Sequence, residues 1–386
     1  MLGYRRRLAH GVAEGTGAIA IVRSPALSRL DADTTTAVSP LRRSVGRVAV
    51  GVWAVALTAF VITQGFPFDR AYQTIWILSG LVAASIGRGW RSVGRIFVDW
   101  IPFVLVLYLY DYSRHLAELL DRPVMVTPQI GWDRTLFFGG EPTVWLQQHL
   151  YDPKATHSWD SVGALVYCSH FLAAWVIAGV LYWRNRDEWF RWARAVVVLS
   201  FSALVTFALL PTAPPWYAAR EGYLPHVDRI ATRGLDTFGL HIAKQLIDQG
   251  ASVANDVAAI PSLHTGMAVL ISIWFYPRVP ARHRFWLRPL LVAYPVAMLA
   301  MLVYSGEHYV VDGLIGAAYV VAVLLGLAAW DRRAPRRSLD AEAAALEAET
   351  AVIDRDLEAH EHVDAARGDI ALVVPPGDSS RGPSLL

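Results

Sequence analysis

The sequence predicts an all-α fold, a polytopic membrane helix bundle with about eight transmembrane helices. Composition is the first reason: 54% of the 386 residues are hydrophobic and 15 are Trp. The mean hydropathy is +0.34, and this apolar and aromatic load exceeds that of a typical soluble domain. Patterning is the second reason, because apolar runs of about 18 residues or more recur between Arg-rich loops, as expected of helices that cross a bilayer.

The apolar runs give the predicted helices in order. They lie at 47–65, 71–87, 96–112, 159–183, 191–210, 262–277, 289–305 and 308–330. Together they make a predicted transmembrane catalytic domain over 47–337. Residues 1–46 form an Arg-rich cytoplasmic arm without the short apolar core of a cleavable signal peptide. Residues 338–386 predict a cytoplasmic acidic helix followed by a disordered tail.

Basic residues predict the orientation. The short loops after the second, fourth and sixth helices, and the segment after the eighth, are rich in Arg, whereas the long loops 113–158 and 211–261 balance bases with acids. The positive-inside rule therefore places both termini in the cytoplasm. Loop 113–158 predicts short interfacial helices. Arg greatly outnumbers Lys and Ala is abundant, which suggests a GC-rich bacterial coding sequence, so the predicted location is a bacterial cytoplasmic membrane.

Charge and cysteine content exclude other classes. A net charge of +2 indicates no nucleic-acid surface. Cys168 is the one cysteine, so an intrachain disulfide is impossible.

Three polar clusters lie at the mouths of apolar runs: Pro211–Trp216, Pro261–His264 and His308–Asp312. Under the predicted topology all three face the outside. Ionisable residues at such positions are costly and usually functional. His308 and Asp312 are four residues apart, so on a helix their side chains lie on one face about 5–6 Å apart. Asp312 can then orient one ring nitrogen of His308 and leave the other as a nucleophile or base.

The second cluster predicts a helix start. Pro261 suits a first helical turn, and the freed amides of Ser262, Leu263 and His264 would form an anion site. A phosphoryl group held between the second and third clusters could be attacked by His308 while His264 protonates the leaving oxygen. Each histidine could instead be a packing residue. A transporter or channel, and a metal-dependent hydrolase that uses His264, His308 and Asp312 as ligands, are the alternative classes.

The second and third clusters resemble the second and third signature motifs of the type 2 phosphatidic acid phosphatase superfamily, and are most similar to its inositolphosphotransferase branch. Pro211–Trp216 resembles the element that this branch uses in place of the first signature. The resemblance covers about 160–330. It implies a six-helix core, a phosphohistidine at His308, Asp312 as its orienter and His264 as the acid, with no metal or other cofactor.

The chain departs from typical phosphatases of this superfamily at their phosphate-binding residues. Met301 and Leu302 stand where the third signature has Ser-Arg, and the Lys and Arg of the first signature are missing around Pro211. Other residues must meet the phosphate charge. The candidates are Arg114 first, then Arg134 and Arg220. The absence of these phosphate-binding residues favours transfer of a phosphodiester head group over simple phosphohydrolysis of phosphatidic acid or prenyl phosphates.

Further substrate-binding candidates accompany these residues: Ser262, Leu263, Trp216, Tyr309 and His170. His170 lies in the middle of the fourth run, one turn after Tyr167, where a structural hydrogen bond to a neighbouring helix is the alternative. The expected partners are the bilayer, a phospholipid or lipid-linked phosphate donor, and a lipid or polyol acceptor.

Overall fold

The protein is described from a computed structural model that covers residues 40–67, 70–86, 89–113, 120, 122–240, 244–245, 247 and 255–333. Most of the predicted N-terminal arm and all of the predicted acidic helix and tail lie outside these ranges. Arg114, the first candidate for phosphate binding, also lies outside the described residues.

The described residues form α-helices that are numbered here in chain order. They are α1 (Pro40–Gln64), α2 (Arg70–Ser85), α3 (Trp90–Ser113), α4 (Thr127–Leu136), α5 (Pro142–Leu150), α6 (Ser158–Arg184), α7 (Arg186–Leu209), α8 (Pro215–Arg220), α9 (Leu263–Phe275), α10 (Arg284–Tyr304) and α11 (Val310–Arg333). Short 3-10 turns lie at Arg233–Phe238, Tyr276–Arg278 and Ala281–His283. No β-strand occurs in the described ranges, so the predicted all-α class is confirmed.

Six helices are long and apolar enough to cross a membrane: α1, α3, α6, α7, α10 and α11. Each of the eight predicted runs lies on a helix, but α2 has 16 residues and α9 has 13, so both are shorter than predicted. Helix α9 gives way to a 3-10 turn at Tyr276, because Pro277 cannot continue its hydrogen-bond ladder. The polytopic helical bundle is confirmed, with six helices of spanning length among the described residues.

Several helices also begin before the apolar run that predicted them. Helix α1 begins at Pro40 and α3 at Trp90. The Arg residues just before each apolar run therefore lie on the helix and not in the preceding loop. The long loop between α3 and α6 contains α4 and α5, which agrees with the short helices predicted there.

A layer of large aromatic side chains holds the bundle together. Trp100 of α3 and Trp189 and Trp192 of α7 are at most 1% exposed. The Trp100 and Trp189 rings lie 5.4 Å apart, and Trp274 of α9 packs edge-on against Trp192. Buried aromatic surface of this size is the dominant stabilising contact of such a core.

The first turns of α9 and α11 come together without intervening side chains. The amide of Ser262, directly before α9, donates to the carbonyl of Asp312 in α11 at 3.0 Å. A Cβ added at Gly316 would collide with the carbonyl of Ser262, and one at Gly266 would touch the Gly316 carbonyl at 3.4 Å. Glycine on α11 therefore allows two helices from distant parts of the sequence to share one polar end.

We expect Gly316→Ala to destabilise the protein by about 1–3 kcal/mol, because its methyl group would press against backbone that cannot move aside as a side chain could. Thermal unfolding in detergent measures this effect. Gly326→Ala on the same helix is the matched control, since a Cβ there meets nothing within 4 Å. Equal stability of both variants would contradict the close approach.

Candidate active site

The predicted pair lies at the start of α11: Asp312 is in its first turn, and His308 comes just before it. His308 Nδ1 lies 3.3 Å from Asp312 Oδ2, and the same carboxylate oxygen accepts the amide of Tyr309 at 2.9 Å. Asp312 is 0% exposed and His308 is 6% exposed. The carboxylate thus fixes both the ring of His308 and the backbone beside it, leaving Nε2 of His308 as the atom available for chemistry.

His264 lies in the first turn of α9, next to this pair. The Ser262 hydroxyl caps the helix by accepting the amide of Thr265 at 3.3 Å. The ring centroids of His264 and His308 are 5.7 Å apart. His264 Nε2 is buried and has no hydrogen-bond partner among the described residues. The predicted convergence of two imidazoles from separate helices is therefore the observed geometry.

Helix α6 supplies a wall behind His264. Tyr167 stacks on the His264 ring at 5.1 Å with planes 17° apart, and Phe171 meets it edge-on. The His170 ring is closer, at 4.1 Å, so three histidines form one cluster. The predicted alternative for His170 was a structural hydrogen bond, yet its Nδ1 has no partner within the described part of the chain. These α6 residues orient the ring of His264.

The Pro211–Trp216 segment ties the site together through its backbone. Thr212 pairs with Met125 on one side and with Ala258 on the other, and its hydroxyl accepts the amide of Ile260 at 2.8 Å. The Trp216 amide donates to the carbonyl of Gly306 at 3.1 Å. This segment therefore links the loop between α3 and α6, the approach to α9 and the approach to α11.

Asp133 of α4 was not predicted. Its carboxylate accepts the amides of Val310 and Val311, each at 3.0 Å, and it is 0% exposed. Burial raises the pKa of the Asp133 carboxyl, and the two backbone hydrogen bonds oppose that effect. In the sequence Asp133 is one acid in a mixed loop, so its role depends on a long-range contact that no local pattern encodes.

The described arginine candidates lie at the edge of the site. Arg134 is paired with Glu141 and its side chain is 52% exposed. Arg220 lies 3.1 Å from Glu221 and its side chain is 53% exposed. The Arg220 guanidinium also lies over the rings of Trp216 and Tyr217.

Arg229, which sequence reasoning missed, lies over Trp216 and is electrostatically coupled to the site. Its Nε and Nη2 donate to Glu307 at 2.7 and 3.1 Å, and its guanidinium lies 4.9 Å from the Trp216 ring centroid. It acts electrostatically on His264. Burial lowers the pKa of Arg229, and the attraction of Glu307 outweighs this, so the guanidinium stays charged. A loop arginine carries no positional signal in sequence.

The remaining residues predicted for the site cap a helix or pack in the apolar surroundings of the histidines. Ser262 is 0% exposed as a helix cap, and Leu263 packs against the aromatic core. Tyr309 is 1% exposed and packs with Ile130 and Ala218. Met301 and Leu302 are buried in an apolar cluster, so neither could meet a phosphate. In the ranges that the structure covers, no three His, Cys, Asp or Glu side chains are grouped to hold a metal ion.

Comparison with known proteins now defines the class. Residues 130–326 match the PAP2 superfamily, which is the phosphatidic acid phosphatase superfamily that the motifs resemble, and the chain belongs to it. It is 24% identical over 243 residues to a protein of Bacteroides thetaiotaomicron named phosphoinositol dihydroceramide synthase, across 60% of this chain and 75% of that protein. This similarity supports the inositolphosphotransferase branch. No solved structure matches the chain significantly.

The protein is therefore a membrane enzyme that acts on lipid phosphate esters, as a phosphotransferase or a phosphohydrolase. Its membrane-spanning helices and its family both indicate a lipid substrate in a bilayer.

We expect Asp312→Asn to lower turnover by about 100-fold or more, because a neutral amide lacks the negative charge that stabilises the positive charge developing on the His308 ring. Steady-state turnover of purified enzyme tests this expectation. Asp331→Asn on the same helix is the control: Asp331 lies in an exposed pair with Arg194, and its loss should change turnover about twofold or less. Similar turnover in both variants would exclude an orienting role for Asp312.

Proposed function

We propose that this enzyme transfers an inositol-phosphate-like head group from a phospholipid to a second lipid or polyol through a phosphohistidine at His308. The observation that carries the proposal is the pair of imidazoles with ring centroids 5.7 Å apart, one of them held by a buried carboxylate. A phosphorus atom between the rings would be within reach of both.

In the first step, Nε2 of His308 attacks the phosphorus of the donor. The N–P bond forms as the bond between phosphorus and the diacylglycerol oxygen breaks, and protonated His264 gives its proton to that oxygen. The Asp312 carboxylate stabilises the positive charge that develops on the His308 ring. The unpartnered Nε2 of His264 suits a group that waits for a substrate oxygen.

In the second step, an acceptor hydroxyl gives its proton to His264 and its oxygen attacks the phosphorus. The N–P bond breaks and His308 is restored. A dihydroceramide, as in the name of the Bacteroides relative, is the first acceptor to test. Water in the acceptor position would give hydrolysis instead.

Charge favours a phosphodiester donor over a phosphomonoester. Arg229 acts electrostatically on His264, and Glu307 already neutralises part of its charge. A phosphodiester carries one negative charge and a phosphomonoester carries up to two, so a partly neutralised guanidinium matches the former. The apolar Met301 and Leu302 add no charge.

The site faces the extracytoplasmic side of a cytoplasmic membrane, with both termini inside. The Arg-rich short loops and the termini lie at one end of the predicted topology, and the three polar clusters lie at the other. A cysteine-accessibility assay, with one reporter in the α4–α5 loop and one near residue 187, tests this orientation.

The reaction is tested by incubating the purified protein with phosphatidylinositol, phosphatidic acid and a prenyl diphosphate in separate reactions with dihydroceramide. We expect diacylglycerol release from phosphatidylinositol without free phosphate, together with an inositol-phosphate-bearing product. Radiolabel from the donor phosphate should be trapped on wild-type His308.

The His308→Ala protein should show neither label nor turnover. Full turnover by this variant would end the proposal, and release of inorganic phosphate from phosphatidic acid would instead assign a phosphohydrolase.

Arg229 is expected to hold the donor phosphate. Arg229→Ala should raise the KM for the donor or lower kcat/KM by about 10- to 100-fold, the scale of a lost charge-assisted hydrogen bond. Arg220→Ala is the matched comparison, because both guanidiniums lie over the ring of Trp216 and Arg220 is the more exposed. A larger loss at Arg220 than at Arg229 would reverse the assignment.

A further inference from the structure

Asp133 binds the start of α11 from another element. Its two carboxylate oxygens accept one amide each, from Val310 and Val311, at 3.0 Å. The first amides of a helix lack partners within the helix, and a negative charge at this end interacts favourably with the helix dipole. Asp133 therefore satisfies two otherwise unpaired donors at once, which a neutral Asn could not do because one of its two polar atoms is a donor.

The same turn determines where His308 lies. His308 precedes α11 and is not part of it, so its ring depends on the position of the first helical turn. Asp312 holds the Tyr309 amide at 2.9 Å, and Asp133 holds the next two amides. Three successive amides are thus bound by two buried carboxylates. One of these carboxylates belongs to α11 itself, and the other is contributed from outside it.

Helix α4 is itself fixed to the rest of the site. At its N-terminal side, Met125 exchanges backbone hydrogen bonds with Pro211 and Ala213 at 2.8 and 2.9 Å. Ile130 of α4 packs against Tyr309. Asp133 therefore joins a helix that is held by backbone hydrogen bonds and packing to the turn that carries His308.

We propose that Asp133 is a positioning residue for the reaction at His308. By binding the amides in the first turn of α11, Asp133 lets α4 determine where the His308 ring lies. The role rests on the proposed phosphohistidine. A capping role alone would contribute to stability; a positioning role also sets the distance from Nε2 of His308 to the phosphorus. Phosphoryl transfer depends steeply on that distance, since a misplacement of about 1 Å can cost about 100-fold in rate.

A single-turnover experiment separates the two roles. Enzyme in excess is mixed with phosphatidylinositol labelled in its phosphate, or with labelled phosphatidic acid if the wild type turns over that lipid instead. The rate constant and the final amount of label on His308 are then measured. For Asp133→Asn we expect the rate constant to fall by about 10- to 100-fold, while the final amount of labelled enzyme stays near that of the wild type.

Val310→Pro tests the same contact from the other partner. Proline is tolerated at the first position of a helix, and it deletes the amide that donates to Asp133 without changing the carboxylate. We expect a slower labelling rate here too, and the double variant should be less impaired than the product of the two single effects.

Asp99→Asn is the matched control, because Asp99 is a carboxylate 7% exposed that Arg186 and Tyr182 bind at the other end of the bundle. It should lower stability and the labelled fraction, with an unchanged rate constant.

A wild-type rate constant for Asp133→Asn would overturn the positioning role, and so would full additivity of its effect with that of Val310→Pro. Either result leaves the phosphohistidine standing, provided that the His308→Ala protein is inactive. Labelling of the His308→Ala protein would instead reject the proposed function itself.

Discussion

The site depends on the backbone contact between the first turns of α9 and α11. The Ser262 amide donates to the Asp312 carbonyl, and the absence of a side chain at Gly316 allows this approach. Because His264 follows Ser262 and His308 precedes α11, this contact sets the separation of the two rings. A wider crossing would leave two isolated histidines, each costly at the end of an apolar helix.

Around that contact, the surrounding elements restrain the two histidines in different ways. Helix α6 packs an aromatic wall of Tyr167, His170 and Phe171 against the ring of His264. His308 is restrained through hydrogen bonds: the Asp312 carboxylate accepts one from its ring, and the Asp133 carboxylate accepts those of the amides at the helix start. Aromatic packing fixes a ring plane and leaves its nitrogen atoms free, whereas a carboxylate occupies one nitrogen and raises the basicity of the other. These environments suit an acid and a nucleophile respectively.

The sequence predicted this site where the signal is local. The i,i+4 spacing of His308 and Asp312 and the helix-start character of Pro261–His264 both follow from helix geometry, which a single segment encodes. Arg134 and Arg220 are predicted phosphate ligands, yet each pairs with a neighbouring glutamate at the edge of the site. Arg229 and Asp133 reach the histidine cluster or the start of α11 through contacts between distant segments, and no periodicity marks such residues.

Sequence by itself therefore determined the membrane class, the order of the helices and the chemical identity of the two histidines and the carboxylate. Hydropathy and spacing report which solvent a segment prefers and which residues share a helix face. The tertiary structure alone decided that α2 and α9 are short, that His170 touches His264, and which charged groups lie next to the reacting ones. Those outcomes depend on how helices pack across long separations in the chain, and the free energy of that packing is not a property of any one segment.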